Sequence, residues 1–263
     1  RTMSVERGHD PRQFTLVAFG GAGPLHACDL AAALDMRRVL IPRHPGILCA
    51  LGLLAADLSH DLSQSLLAPL AAVSVDALAR RFAPLIDAGQ AALRRQGAPL
   101  SRMTLDLSLD MRYVGQSFEI TTPLVRTHPA TRQRLTHDLA AIDIAARFHR
   151  LHRRRYGHAS PAEPVEIVNL RLRAVARTDK PTFIAEAEGD ADAGAAVLTT
   201  APVVFGDGEQ QSTPIYARDH LHAGNCIAGP AVVVQMDATT LIAPGWTARV
   251  DGYGNLLLHL RES

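Results

Sequence analysis

The stretch FTLVAFGGAGPLHA at residues 14–27 joins a short apolar run to a glycine-rich loop and then to a second apolar segment. The run at residues 14–19 predicts a strand buried in a parallel sheet. After the loop, residues 25–34 predict a buried helix, whose first turn tolerates Pro24 because no N–H is needed there. Residues 39–41 predict the next strand. The segment is therefore expected to be a strand–helix–strand unit with a right-handed crossover.

The glycine loop, residues 20–23, is the strongest local signal for a ligand. Glycines let backbone N–H groups approach a ligand closely, and the following helix adds partial positive charge at its N-terminus. This pattern suits a nucleotide, and a tight strand-to-helix turn without a ligand fits the same residues. Its spacing is not Gly-x-Gly-x-x-Gly, which disfavours NAD. The candidate nucleotide contacts are Gly20, Gly21, Ala22, Gly23, Pro24 and His26.

Composition and charge exclude several classes of protein. The chain has 263 residues, of which 47% are hydrophobic and 20% charged, as in ordinary globular proteins. Its net charge of +1 provides no field that would attract nucleic acid or an acidic membrane. No apolar run reaches the ~18 residues of a spanning helix, and no charged stretch at residues 1–20 leads into an apolar segment of the secretory type. We therefore expect a cytoplasmic protein that has neither nucleic acid nor a membrane as its partner.

The lysine and cysteine content narrows the chemistry further. Lys180 is the single lysine and lies in a turn-like Asp-Lys-Pro sequence. A phosphate-loop lysine is absent, and a Schiff-base lysine would be poorly placed for burial. The three cysteines, Cys28, Cys49 and Cys226, are widely spaced and predict neither a zinc site nor a disulfide framework. Cys28 is either a thiol activated by the helix N-terminus or, more commonly, a buried structural thiol.

The rest of the chain mixes helices with a β-rich end. Residues 74–96 predict an amphipathic helix with Ser74 as its N-cap, and Pro84 should kink or split it. A second long helix is expected over residues 131–156, ending at Gly157. Strands are predicted at residues 103–109, 118–121, 165–176, 203–205, 231–234, 240–242 and 256–258. The predicted fold class is α/β over residues 1–68, then α+β over residues 69–263.

Other candidate residues carry weaker signals. His44 ends a predicted strand, at the edge of an α/β sheet where ligands usually bind. Asp57 begins a cluster with His60 and Asp61 that could bind a metal, although short polar turns often contain such residues. His149 and His152 share a helix face with several arginines. For them a solvated basic face is favoured over a zinc site.

Several motifs follow one another along most of the chain. They are VERGHDPR at 5–12, the stretch at 14–27, IPRHPGILCALGLLAAD at 41–57, MRYVGQS at 111–117, YGH at 156–158, PVEIVNLR at 164–171, GPA at 229–231, PGW at 244–246 and YGNL at 253–256. In this order they resemble the hydantoinase A / ATP-dependent 5-oxoprolinase family. Several motifs in register are far more specific than any one of them.

The resemblance implies a fold and an activity. Residues 1–68 would be the C-terminal part of an actin-like ATPase domain, and residues 69–263 a hydantoinase A C-terminal domain. The enzyme would couple ATP hydrolysis to opening a small cyclic amide, such as a hydantoin or 5-oxoproline, with ATP and Mg²⁺ or another divalent metal as cofactors. ATP would phosphorylate the amide oxygen before water attacks. The glycine loop would receive the adenosine end of ATP, and His44 and Asp57 would serve the substrate or the cleft.

The resemblance leaves two alternatives open and has one departure. The alternatives are an ATP-using subunit of a ketone carboxylase and a non-catalytic truncated module that binds a partner subunit. The departure is that no Asp-x-Gly-Gly-Thr loop, the first phosphate loop of the family, occurs in these residues. We therefore expect the C-terminal portion of a longer protein, partnered by an N-terminal half or another subunit, in an oligomer. Little or no ATPase activity is expected from this chain alone.

Overall fold

The computed structural model describes residues 8–129, 134–206 and 208–261. The first three residues of the motif at 5–12 and residues 131–133 of the predicted second helix lie outside them. The described residues form a mixed α/β structure with three sheets. The helices are α1 (Ala27–Ala33), α2 (Leu48–Ala55), α3 (Val75–Arg95), α4 (Leu135–Ala140) and α5 (Ile144–Tyr156). The strands are β1 (Leu16–Val17), β2 (Arg38–Ile41), β3 (Leu58–Pro69), β4 (Met103–Tyr113), β5 (Ile120–Thr127), β6 (Val165–Ala176), β7 (Val197–Val204), β8 (Gln210–Ala217), β9 (Cys226–Ala228), β10 (Ala231–Val234), β11 (Thr239–Ile242), β12 (Trp246–Val250) and β13 (Leu256–Leu260).

The chain divides into two compact units. Unit 1 combines Arg1–Leu54 with Pro181–Ser263, and unit 2 is Ala55–Lys180. Unit 1 is discontinuous in sequence because β13, near the C-terminal end, pairs with β2 in antiparallel register, with Leu258 opposite Val39. The sequence instead predicts two consecutive domains, residues 1–68 and 69–263. That division is a different property from the two compact units, and it stays a prediction.

Unit 1 contains two sheets that share one core. Their strand orders are β1-β2-β13-β12-β9 and β11-β10-β8-β7, and Trp246 is among the buried core side chains. β1 and β2 are parallel with α1 between them in sequence, as predicted. The predicted burial of the first strand in a parallel sheet is wrong, because β1 is a two-residue strand at the edge of a mixed sheet, and Phe14, Val17 and Phe19 are exposed. The predicted burial of the helix on most faces is wrong. α1 buries only Ala27, Cys28 and Ala31, while Leu30 is exposed, because one side of the helix alone faces the sheet.

Unit 2 is an antiparallel sheet, β3-β6-β4-β5, covered on one face by helices. Ser74 caps α3 as predicted, since its Oγ accepts a hydrogen bond from the backbone N–H of Ala77 at 3.2 Å. The predicted split at Pro84 is wrong, because α3 runs unbroken through that residue. A proline removes one helical hydrogen bond. The apolar stripe of Leu78, Phe82 and Ile86 is buried in the core on both sides of Pro84 and stabilises the helix there, and a kink at Pro84 stays a prediction.

Two further predictions in unit 2 need correction. The single long helix is in fact α4 and α5, because the carboxylate of Asp143 accepts from the N–H of Ala146 at 2.9 Å and starts a new helix there. Gly157 ends α5 with φ of 83°, as predicted.

β3 was not predicted. It is an edge strand without a fully buried residue, so its sequence lacks a clear apolar period.

Candidate functional site

The glycine loop lies between β1 and a 3-10 turn, Gly23–Leu25, that precedes α1. Gly20 has φ of 84°, a conformation that favours glycine, and its N–H donates to the carbonyl of Pro45 at 2.7 Å. That carbonyl belongs to the 3-10 turn Pro45–Ile47, which follows β2. The hydrogen bond therefore fixes the glycine loop against the turn after the neighbouring parallel strand, at the sheet edge where ligands bind α/β folds.

Three successive backbone N–H groups in this loop are free to meet a ligand. Among the described residues, the N–H groups of Gly21, Ala22 and Gly23 donate to no protein acceptor. Gly21 and Ala22 are exposed, whereas Pro24 is buried beneath the loop. Donors of this kind suit the oxygen and ring-nitrogen acceptors of a nucleotide. The residues present thus fit the predicted ligand at the level of hydrogen-bonding chemistry.

Asp237 supports the loop and the turn from the link between β10 and β11. Its carboxylate accepts from the N–H of Gly46 at 2.9 Å and from Nε2 of Gln235 at 2.5 Å. A Cβ added at Gly46 would lie 2.5 Å from the Asp237 carbonyl oxygen, so only glycine fits there without a shift. A Cβ added at Gly21 would lie 3.6 Å from the same oxygen, which is an ordinary contact.

Two predicted contact residues flank these turns: His26 follows the turn Gly23–Leu25, and His44 precedes the turn Pro45–Ile47. His26 is exposed and precedes α1, and its N–H donates to the carbonyl of Gly23 at 3.3 Å. His44 is exposed, precedes the turn Pro45–Ile47 and lines a small cleft together with Arg43. The backbone of Arg43 is held at both ends, since its N–H donates to Asn255 Oδ1 and its carbonyl accepts from Gln235 Nε2. Both histidines stay predicted contacts.

Asp57 lies in unit 2 and is occupied by other protein groups. Its carboxylate accepts from Lys180 Nζ at 2.5 Å and from the N–H of Thr178 at 3.1 Å. The hydrogen bond from Lys180 is the main cause that lowers the pKa of Asp57. Asp61 instead faces Arg173, at 4.0 Å. Within the described ranges, no group of three or more His, Cys, Asp or Glu side chains could hold a metal ion. The structure therefore assigns no protein ligand for a divalent metal.

His152 of α5 is buried and His149 is half-buried, so the predicted solvated face is wrong for His152, whereas the neighbouring arginines are exposed. His152 is 1% exposed, and its two ring nitrogens contact Gln116 Nε2 at 3.3 Å and the His158 carbonyl at 2.8 Å. His149 Nδ1 lies 2.7 Å from the hydroxyl of Tyr113. These rings pack against the core because Tyr113 and Phe148 lie beside them. Their partners are those of a structural network.

Cys28 and Asp110 are also structural groups. Burial raises the pKa of the Cys28 thiol to about 11, so the alternative of an activated thiolate is not supported. Asp110 is fully buried, and its carboxylate accepts from Thr121 Oγ1, Asn169 Nδ2 and Arg171 Nε. It thereby joins three neighbouring strands. An open groove of about 700 Å³ lies on the same sheet. Two of its arginines pair with Asp106 and Asp61 of the groove, and Arg171 pairs with the buried Asp110.

Gln235 and Asp237 were missed by sequence reasoning. The strands before and after them, β10 and β11, were predicted. In the link between these strands, an acidic residue was the only feature of the sequence that could have indicated a functional role. Asp237 and Gly46 are separated by 191 positions in the sequence, and no pattern in a single sequence joins positions so far apart.

Comparisons with known proteins identify the family to which the sequence is similar. The model of a family described as Hydantoinase/oxoprolinase matches residues 1–62, and the model of the Hydantoinase/oxoprolinase C-terminal domain matches residues 70–263. An uncharacterized protein, MJ0964, of Methanocaldococcus jannaschii is 35% identical over 97% of the chain. Caprolactamase subunit alpha of Pseudomonas jessenii is 31% identical over 95% of it, and 5-oxoprolinase 1 of Arabidopsis thaliana 28% over 100%. The chain spans 35%, 36% and 20% of these three relatives.

Solved structures share the fold. A nucleotide-free acetone carboxylase structure matches 99% of the chain with a TM-score of 0.80 and 23% identity, over 37% of its own length. The ATP-dependent caprolactamase of Pseudomonas jessenii matches 100% with a TM-score of 0.66 and 30% identity, over 38% of its length. Helices that combine the length and apolar character needed to cross a bilayer are absent from the described part of the chain.

Proposed function

The chain belongs to the hydantoinase/oxoprolinase family, and on that premise we propose that it is the C-terminal portion of an ATP-dependent cyclic amide hydrolase. The observation that carries the proposal is the alignment of nearly the whole chain with a caprolactamase subunit and a 5-oxoprolinase. Both names describe enzymes that open a cyclic amide. The proposed substrate class is therefore a small cyclic amide, such as a hydantoin or 5-oxoproline.

The glycine loop is the proposed nucleotide contact, in a C-terminal part of an actin-like ATPase core. The free N–H groups of Gly21, Ala22 and Gly23 would hold acceptor atoms of ATP, with Gly20 and Pro24 shaping the loop and His26 beside it. Bound ATP supplies the phosphoryl group that makes an inert amide carbonyl reactive. Magnesium commonly binds through phosphates and one or two carboxylates. Which carboxylates would bind it here is not determined by the described residues.

Partner subunits belong to the same proposal. Caprolactamase subunit alpha is by its name one subunit of a larger enzyme, and this chain spans about a third of it. The active species would then be an oligomer in which another segment or subunit completes the nucleotide cleft. His44 and Asp57 would contribute to the substrate or the cleft, with Asp57 acting through its link to Lys180.

Nucleotide contact is tested at Gly21. Gly21→Ala adds a methyl group to the exposed loop. The new Cβ would lie 3.6 Å from the carbonyl oxygen of Asp237, an ordinary contact, so the fold should be unchanged. We expect ATP affinity, measured by calorimetry on the complete protein, to fall about tenfold, which corresponds to about 1.4 kcal/mol. Gly52→Ala is the matched control, because a Cβ there has nothing within 4 Å. Equal ATP affinity in the two variants would refute the contact.

The substrate is tested by a panel. The complete protein, with any subunit that copurifies, is assayed for ATP-dependent opening of hydantoin, 5-oxoproline and caprolactam. Ketones with bicarbonate form the second arm, because the fold is shared with acetone carboxylase. Ring opening supports the proposal, whereas turnover of ketones alone would favour a carboxylase subunit. No turnover and no ATP binding would favour a non-catalytic module. ATP hydrolysis at an ordinary enzymatic rate by these 263 residues alone would contradict the expected need for a partner.

A further inference from the structure

A small cleft in unit 1 is lined by two arginines, Arg43 and Arg218, by His44, and by the two exposed carboxylates of Glu186 and Asp219. Its volume of about 70 Å³ corresponds to roughly two water molecules, each of which occupies about 30 Å³ in the liquid. Such a space accepts one phosphate or carboxylate group. Whole ligands of drug size need about 300 Å³ or more, so a complete nucleoside does not fit.

Arg218 is a buried cation with an unmet hydrogen-bonding capacity. The residue is 5% exposed, and its Nη2 donates to the carbonyl of Gly254 at 2.6 Å. Its Nη1 is buried and has no partner in the described structure. No carboxylate of the described residues pairs with it at ion-pair distance. Buried charges in proteins are normally paired, so a guanidinium without a direct ion pair is a candidate for binding an anion.

The carboxylates of Asp251, Asp219 and Asp237 offset part of the charge of Arg218, but none of them pairs with it directly. Burial and then the nearby Arg43 lower its pKa to about 10, so the group is still charged at neutral pH. The carboxylate of Asp251 accepts from groups of its own turn, and that of Asp237 accepts from Gly46 and Gln235. Glu186 lies 3.5 Å from Arg43 and is half exposed. Asp219 lines the cleft but is exposed.

We propose that this cleft binds a small oxyanion, held by the guanidinium of Arg218 and by the side chain of Arg43, with His44 at its edge. Guanidinium groups present planar N–H donors that match the oxygens of phosphate and carboxylate groups. A nucleotide phosphate and a small carboxylic acid share this chemistry. The inference goes beyond the proposed function, because it concerns an anion that binds without turnover.

The test measures anion binding to the complete protein by calorimetry at constant ionic strength, with chloride as the balancing salt. The probes are inorganic phosphate, ADP and acetate. We expect saturable binding to the wild type, and binding at least tenfold weaker in Arg218→Gln and Arg43→Gln. Arg249→Gln is the matched control, since Arg249 is an exposed arginine of the same unit that pairs with Glu188. A preference for phosphate and ADP identifies a nucleotide phosphate, and a preference for acetate identifies a carboxylate.

Two results would overturn the proposal. One is the absence of saturable binding of all three probes to the wild type. The other is an equal loss of binding in Arg249→Gln, which would indicate a general charge effect. If Arg218→Gln does not fold, Arg43→Gln decides. Arg43 is more than half exposed, so its removal should leave the fold intact, and wild-type anion affinity in that variant would overturn the site.

Discussion

Replacing Gly46 by alanine should destabilise unit 1 by forcing the Asp237 link away from the turn that it supports. The new Cβ would lie 2.5 Å from the carbonyl oxygen, 2.7 Å from Cβ and 2.8 Å from Oδ2 of Asp237. Backbone must therefore move, and overpacking of this kind costs about 1–3 kcal/mol. Alanine also restricts the unfolded chain, which offsets about 0.4–1 kcal/mol of that cost. The midpoints of these two ranges give an expected net loss in the free energy of unfolding of about 1.3 kcal/mol.

Trp246 gives a specific assay for this change. It is the only tryptophan in the chain and is 3% exposed in the core of unit 1, so its fluorescence follows the unfolding of that unit in urea. Gly52→Ala is the matched control. It adds the same methyl group in the middle of α2, with nothing within 4 Å, and should be neutral or stabilising by up to about 1 kcal/mol. A Gly46→Ala variant as stable as Gly52→Ala would refute the close packing of Gly46 on Asp237.

Three further predictions concern other parts of the chain. At pH 8 a thiol reagent should label Cys49 and Cys226 rapidly and Cys28 only after unfolding, since Cys28 is buried with a pKa raised to about 11; mass spectrometry that finds Cys28 labelled at a similar rate would contradict this. Because Lys180 lowers the pKa of Asp57 below its ordinary value of 3.8, the stabilisation from this pair is present above that value and is lost as the pH falls through the lowered pKa. In Lys180→Met the carboxyl titration of Asp57, followed by NMR, should move upward, and an unchanged midpoint would show that Lys180 is not the cause. Ser74→Ala should cost about 0.5–2 kcal/mol of unit 2 stability in urea unfolding followed by circular dichroism, while Ser74→Thr should retain most of it, because only the hydroxyl caps α3.

Local patterns in the sequence were sufficient to predict several elements accurately. β6 occupies Val165–Ala176, the predicted strand, because a half-buried strand leaves a period of two in its sequence. Ser74 and Gly157 mark the start of α3 and the end of α5, since capping and left-handed conformations depend on the residue itself. The order of motifs also identified the family, which the matches to the family models confirm.

Only the tertiary structure determined which distant residues meet. The carbonyl of Pro45 accepts from Gly20, Asp237 supports Gly46, and Arg218 is buried beside Arg43 in a unit whose two segments are joined by the pairing of β2 with β13. Periodicity and capping are local properties, so they can be recognised in a short window of sequence. Strand register and the burial of a charge depend on segments that lie far apart along the chain, and a single sequence contains no local signal that pairs them.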